Sequence, residues 1–271
     1  MNEITPTNRF NNAATAVLGG SLNEAHMSVV SVNDCSSSVE DVMEQMNRGR
    51  AHFKEKVCES AKAGELVDIA MVNVSSEVEV MPLRDMAYGG EGEPLDEVDA
   101  AFVPLKDLPD EALALNAHGL TRLNDGIVRA LKLVREHTKR RQQLGMNVKR
   151  SLVLIYSDGK DEPTGRVDEA AQLISQMVEK NLVKVIFLGF GDYDRATAEQ
   201  LTASCGGYFE ANFDASDGIP FQRFFHFFSE ITCGMSQLAA GSAIPVSLDP
   251  DDDDIRFIST DGVTTFEDFC K

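Results

Sequence analysis

Basic side chains are scarce in this sequence: 25 Lys and Arg stand against 44 Asp and Glu, a formal net charge of −19. Such a chain repels phosphate backbones and anionic membrane surfaces at long range, which argues against nucleic acid and membranes as partners. No run approaches the roughly 20 apolar residues of a membrane span. The stretch after Arg9, NNAATAVLGG, is too short and too polar for the hydrophobic part of a signal peptide. The five cysteines (Cys35, Cys58, Cys205, Cys233, Cys270) are odd in number, scattered and without the CxxC spacing of structural zinc. Free thiols in a reducing cytoplasm are what that pattern predicts, so the expected localisation is cytoplasmic. Also missing are a Gly-rich phosphate loop, a GxSxG elbow and a catalytic triad, so an enzyme is not expected. No internal repeat appears at a period of about 20–50 residues.

What is present is a chain of 271 residues and 43% hydrophobic content, enough to bury a full core. MSVVSVND (27–34) reads as a buried strand running into a polar loop. A helix is expected over 39–62, closed by Gly64, where Val39, Val42, Met43, Met46, Phe53 and Val57 recur at close to helical spacing. LVDIAMVNV (66–74) and the alternating EVEVMPL (77–83) predict a hairpin turning at Ser75 and Ser76, its second strand near a sheet edge. The Gly- and acid-rich residues 87–97 predict a surface excursion, and AFVPL (101–105) a short extended piece. Further on come a helix over 123–143, the strand SLVLIYSDG (151–159), a helix over 166–180 and the strand VKVIFLGFG (183–191). They are followed by a helix over 194–204, a short strand in GGYFEANF and a Phe-dense helix over 221–232 expected in the core. The fold class is therefore α/β: a three-layer, doubly wound, mainly parallel sheet with one antiparallel edge strand, Rossmann-like in its layering. Residues 1–26 are expected to form an N-terminal arm, 27–238 the domain and 239–271 an acidic C-terminal tail carrying DPDDDD (249–254).

In an open α/β sheet, ligands gather beyond the carboxyl ends of the parallel strands. The first strand runs into Asp34-Cys35-Ser36-Ser37-Ser38 and the central one into Ser157-Asp158-Gly159, while HGLTRLNDG puts Thr121 just ahead of a helix. Hard oxygen donors without His or Cys suit Mg²⁺, Mn²⁺ or Ca²⁺. This ordered set resembles the von Willebrand factor A family and its metal-ion-dependent adhesion site: DxSxS after the first strand, a Thr before a middle helix, an Asp after the fourth strand. Asp34, Ser36 and Ser38 match the first part, Thr121 the second and Asp158 the third, and the resemblance spans about residues 27–238.

The resemblance implies that the hydroxyls of Ser36, Ser38 and Thr121 face a divalent cation, Mg²⁺ first, with Asp34 and Asp158 acting directly or through water. It further implies that a protein partner supplies a Glu or Asp to the open coordination position. Stand-alone members found with tellurite-resistance or AAA-ATPase systems make such a complex one setting for this chain. Two departures stand out, since Ser37 holds a position where the family often has Gly and Asn33 one where it has a more apolar residue.

Each feature also has a plainer reading. Asp34 and Thr121 could cap helices, and Asp158 could belong to an ordinary turn. His118 reads as polar surface and Cys35 as a buried thiol. The cluster KRR (139–141) complements a helix C-terminus rather than binding nucleic acid. DPDDDD is a solvated linker or an internal competitor for the cation. The functional alternatives are a metal-assisted phosphohydrolase using the same carboxylates and a self-assembling structural protein joined through its tails.

Overall fold

The computed structural model describes residues 24–90, 94–158, 166–212, 219–239, 242–249 and 254–271. Most of the expected N-terminal arm, Gly159, and residues 250–253 of the acidic run lie outside them. In chain order the elements are β1 (Met27–Asp34), α1 (Glu40–Glu59), α2 (Ala61–Leu66), β2 (Val67–Val74), β3 (Val78–Val80), α3 (Leu83–Tyr88), α4 (Glu97–Ala101), β4 (Val103–Pro104) and α5 (Leu123–Gln143). There follow β5 (Ser151–Ser157), α6 (Val167–Glu179), β6 (Val183–Phe190), α7 (Arg195–Thr202), β7 (Gly207–Ala211), α8 (Ile219–Gln237), β8 (Ile255–Ser259) and α9 (Phe266–Phe269).

The strands form one eight-stranded sheet in the order β3-β2-β1-β5-β6-β7-β8, with β4 also paired to β2. Its centre is parallel, as β-branched runs buried on both faces require. Alternation sorts the side chains: Met27, Val29, Leu152, Leu154 and Tyr156 join α1 and the Phe-rich α8 on one face. Val30, Val32, Val153 and Ile155 join α5, α6 and α7 on the other. Phe221, Phe224, Phe225, Phe227 and Phe228 are all buried, as expected of that helix.

Five details of the expected fold need correction. The sheet has three antiparallel members rather than one: β3 and β4 along β2, and β8 along β7. Residues 239–271 are accordingly not a separate tail, because Ile255, Phe266 and Phe269 are buried and the rings of Phe257, Phe266 and Phe269 gather around Phe209. At the other end His26 belongs to the domain and not to an arm, being buried and bonded through its backbone to Asn147 and Lys149. The helix expected over 39–62 is two helices. Its break falls at Ser60, whose extended backbone ends α1 and whose hydroxyl accepts from Ala63 N at 3.3 Å, so Gly64 lies inside α2. The excursion at 87–97 is also partly helical, since Asp96 caps α4 by accepting from Val98 N and Asp99 N.

Gly49 fixes how closely α1 and α8 approach: a Cβ there would stand 2.3 Å from the ring of Phe225. Gly49→Ala is therefore expected to destabilise the chain in urea unfolding, overpacking costing about 1–3 kcal/mol against roughly 1 kcal/mol gained in helix propensity.

Candidate metal centre

β1 and β5 are parallel neighbours, Asn33 lying opposite Tyr156, so their carboxyl ends bring Asp34 and Asp158 to one edge of the sheet. Asp34 is fully buried. Its Oδ1 accepts from Ser36 N at 2.9 Å and from Ser36 Oγ at 2.6 Å, while Ser157 Oγ donates to Oδ2. Ser36 Oγ lies 2.9 Å from Ser38 Oγ, so with Ser36 donating to the carboxylate, Ser38 donates to Ser36. Asp34 thus holds the loop into the 3₁₀ turn Ser37–Val39 and caps nothing further on, since Val39 is the residue before α1.

Thr121 comes from a separate loop that is stitched to the first. His118 N donates to Cys35 O at 2.6 Å, and Ser37 N to Gly119 O at 3.0 Å. Gly119 has φ +73, and a Cβ there would meet Ser76 Oγ at 2.5 Å, so this crossing requires glycine. Thr121 is buried, and Arg122 rather than Thr121 occupies the N-cap of α5, which removes the capping explanation for its hydroxyl. The five expected residues therefore share one edge; among the described residues hydrogen bonds join Asp34, Ser36 and Ser38, and the Thr121 hydroxyl bonds to none of the other four. Ser157 is the participant that the sequence reading passed over. Its place immediately before Asp158 at a strand end was the available signal.

Two carboxylates meet at this edge. Burial pushes the Asp34 carboxyl above its ordinary value, the bonds from Ser157 and Ser36 pull it back, and the charge of Asp158 raises it again. Asp158 Oδ1 is buried and has no hydrogen-bond partner among the described residues. No Lys, Arg or His pairs with either carboxylate among the described residues. A carboxylate drawn from water without a counter-charge, as Asp34 is, is costly unless it meets a metal ion or takes up a proton. Among the described residues no three His, Cys, Asp or Glu are gathered, so any ion here would be held by carboxylate and hydroxyl oxygen, which suits Mg²⁺ better than zinc.

The surroundings explain the neighbours. Asn33 is polar because its Oδ1 accepts from Ser31 Oγ at 2.5 Å and from Tyr156 OH, and its Nδ2 donates to Asn73 Oδ1 at 2.8 Å. Arg50 extends this buried chain, donating to Tyr156 OH at 2.8 Å and to Leu113 O at 2.9 Å. Cys35 is buried and its thiol is pushed up to about 11, mainly by burial, so it is protonated and inert. His118 Nε2 lies 3.2 Å from Ser75 Oγ, a pin between loops. Of the basic cluster, Arg140 pairs with Asp96 and Asp99, and Arg141 is buried against Asp68.

The sequence matches no protein-family model and no curated protein. Similar solved structures include a mutant form of the PilB minor pilin from Streptococcus sanguinis, at 10% identity and a TM-score of 0.54 over 79% of this chain and 63% of that one. The pilus adhesin SpaC from Lactobacillus rhamnosus GG, in an open conformation, is 13% identical with a TM-score of 0.53 over 78% of this chain and 30% of its own. A von Willebrand factor type A protein from Catenulispora acidiphila is 18% identical with a TM-score of 0.49, covering 78% of this chain and 43% of that one. This chain spans less than two thirds of the length of each. At these identities the likeness is one of fold alone, the α/β fold with a mainly parallel central sheet described above. No helix among the described residues is long and apolar enough to cross a membrane.

Proposed function

We propose that this chain is a protein-binding module that holds a divalent cation, Mg²⁺ in the first instance, with Asp34, Ser36, Ser38, Thr121 and Asp158, and grips an acidic residue of a partner. The observation that carries the reading is the fully buried Asp34 carboxylate at the same sheet edge as Asp158, whose buried Oδ1 has no hydrogen-bond partner among the described residues. Ser36 and Ser38 keep oxygen lone pairs while passing their protons toward Asp34, which lets neutral donors share a site with only two carboxylates. A hard cation so held keeps a strong demand for one more oxygen, which a partner's Glu or Asp satisfies.

Sharing a fold with a pilus adhesin supports a binding role. An enzyme is not proposed: a phosphatase working through Asp34 would want a second carboxylate where Ser36 stands, to act as acid and base. Free thiols at all five cysteines support a reducing, cytoplasmic setting.

Capture on the immobilised full chain tests the reading. A protein retained in Mg²⁺, released by EDTA and absent when Asp34 and Asp158 are both changed to Ala is the expected result. Retention indifferent to chelator overturns it, and metal-dependent hydrolysis of an aryl phosphate, lost on changing Asp34, would favour the phosphohydrolase instead.

A further inference from the structure

Where α1 and α8 pack side by side, Phe53 lies on Phe228 with ring centroids 4.8 Å apart. Beside that contact the rings of His52 and His226 face one another, with His52 Nε2 3.4 Å from His226 Nδ1. The far nitrogens both look toward carboxylates: His52 Nδ1 is 3.8 Å from Glu55 Oε2 and His226 Nε2 is 3.7 Å from Glu230 Oε1. A neutral imidazole carries one N–H. Protons placed toward the two carboxylates leave two lone pairs opposed across 3.4 Å. Moving one proton between the rings leaves a carboxylate facing a lone pair.

We propose that His52 and His226 form a two-histidine site for zinc, separate from the oxygen-lined centre at the sheet edge. Two imidazole nitrogens bound to tetrahedral zinc at 2.0–2.1 Å stand about 3.3–3.4 Å apart, matching the separation found. Each ligand then donates its other N–H toward a carboxylate, the arrangement that fixes the tautomer of metal-bound histidine. A cavity of about 220 Å³ lined by His52, Gln222, Arg223, His226, Ser247 and Leu248 leaves room for the waters that complete the coordination. Arg223 is engaged with Asp254 at 3.0 Å. Glu230 is held in place by Ser247, whose N and Oγ donate to Oε2 at 2.7 and 3.0 Å, leaving Oε1 for His226. Cys58 and Cys233 belong to the same two helices, but burial pushes the Cys58 thiol up and that of Cys233 up to about 11, so both stay protonated and are poor competitors.

The test titrates the chelator-stripped full chain with zinc in excess Mg²⁺, against a chromogenic zinc chelator, and records the visible spectrum with Co²⁺. One zinc per chain is expected, with affinity at least tenfold weaker in His52→Gln and in His226→Gln and unchanged in Asp158→Asn. Glu230→Gln keeps both ligands and is expected to weaken binding by about 10–100-fold, which decides the matter should either histidine variant fail to fold. Zinc binding unchanged in the folded variants, zinc lost in Asp158→Asn, or a cobalt spectrum with a sulfur charge-transfer band would each overturn the assignment.

Discussion

Asp158→Asn is expected to remove the thermal stabilisation that Mg²⁺ gives the chain, while leaving the melting temperature in EDTA unchanged or higher. Without a cation, burial raises the Asp34 carboxyl and the charge of Asp158 adds a smaller push in the same direction. A neutral amide of the same shape ends that repulsion. With a cation at 100 times its dissociation constant, the wild-type fold gains about 2.7 kcal/mol, or roughly 5–10 °C for a domain of this size. The variant should gain almost none of it. Scanning fluorimetry in Mg²⁺ and in EDTA makes the comparison, and an intact Mg²⁺ response in the variant would place the ion elsewhere. Ser157→Ala offers a graded contrast: it keeps both carboxylates and deletes one hydrogen bond to the buried Asp34. It should lower stability by about 1.5–3 kcal/mol without abolishing the response to Mg²⁺.

The larger loss of stability is expected at the opposite end of the sheet. Arg141 is buried, donates to Asp68 Oδ2, and through Nε donates to His137 Nε2 at 2.9 Å. His26 Nδ1 lies 3.5 Å from the same Asp68 oxygen, and the ring of Phe102 stacks on His137 with centroids 3.8 Å apart. Arg141→Ala strands the Asp68 charge and should cost about 3–5 kcal/mol in urea unfolding, a large part of the ~5–15 kcal/mol that typically holds a domain folded. Arg141→Met combined with Asp68→Leu should recover much of it, because it removes both charges together.

The same cluster has a pH signature. His137 is held well below its ordinary value by burial and then by Arg141, so the unfolded chain binds the proton first as pH falls. Stability from this group is complete above the unfolded value near 6.5 and declines below it, by up to roughly 1.4 kcal/mol per pH unit. His137→Phe should flatten that slope between pH 6.5 and 5.

Much of this architecture was legible because the central strands write their burial into the sequence. MSVVSVND and SLVLIYS leave few other options, and the helix over 123–143 was found at both ends. The candidate residues stand out for the same reason: Asp34 and Asp158 lie at the carboxyl ends of buried strands. Ser157 escaped notice because a strand-end serine has no pattern of its own until a neighbouring strand gives it a carboxylate. The last strand is less legible: IRFISTDGVTTFEDFC reads as a short hairpin or as a tail that orders on binding. IRFIS is short and follows an acidic run, and its apolar residues acquire a purpose only beside Phe209 and the Phe-rich helix, contacts that no local period encodes. Arg140 and Arg141 were read as one basic run, although only partners distant in sequence decide that one is half-exposed and the other enclosed.

The position of β8 has a bearing on solubility. It occupies the hydrogen-bonding edge of β7, pairing from Gly207 with Ser259 to Ala211 with Ile255, and α9 lays two phenylalanines over the aromatic cluster behind it. A chain cut before Ile255 would present the bare rim of a parallel sheet flanked by exposed rings, a template on which further copies could add strand by strand. The C-terminal segment, expected to be an acidic tail, thus supplies the outermost strand of the sheet and part of its aromatic core.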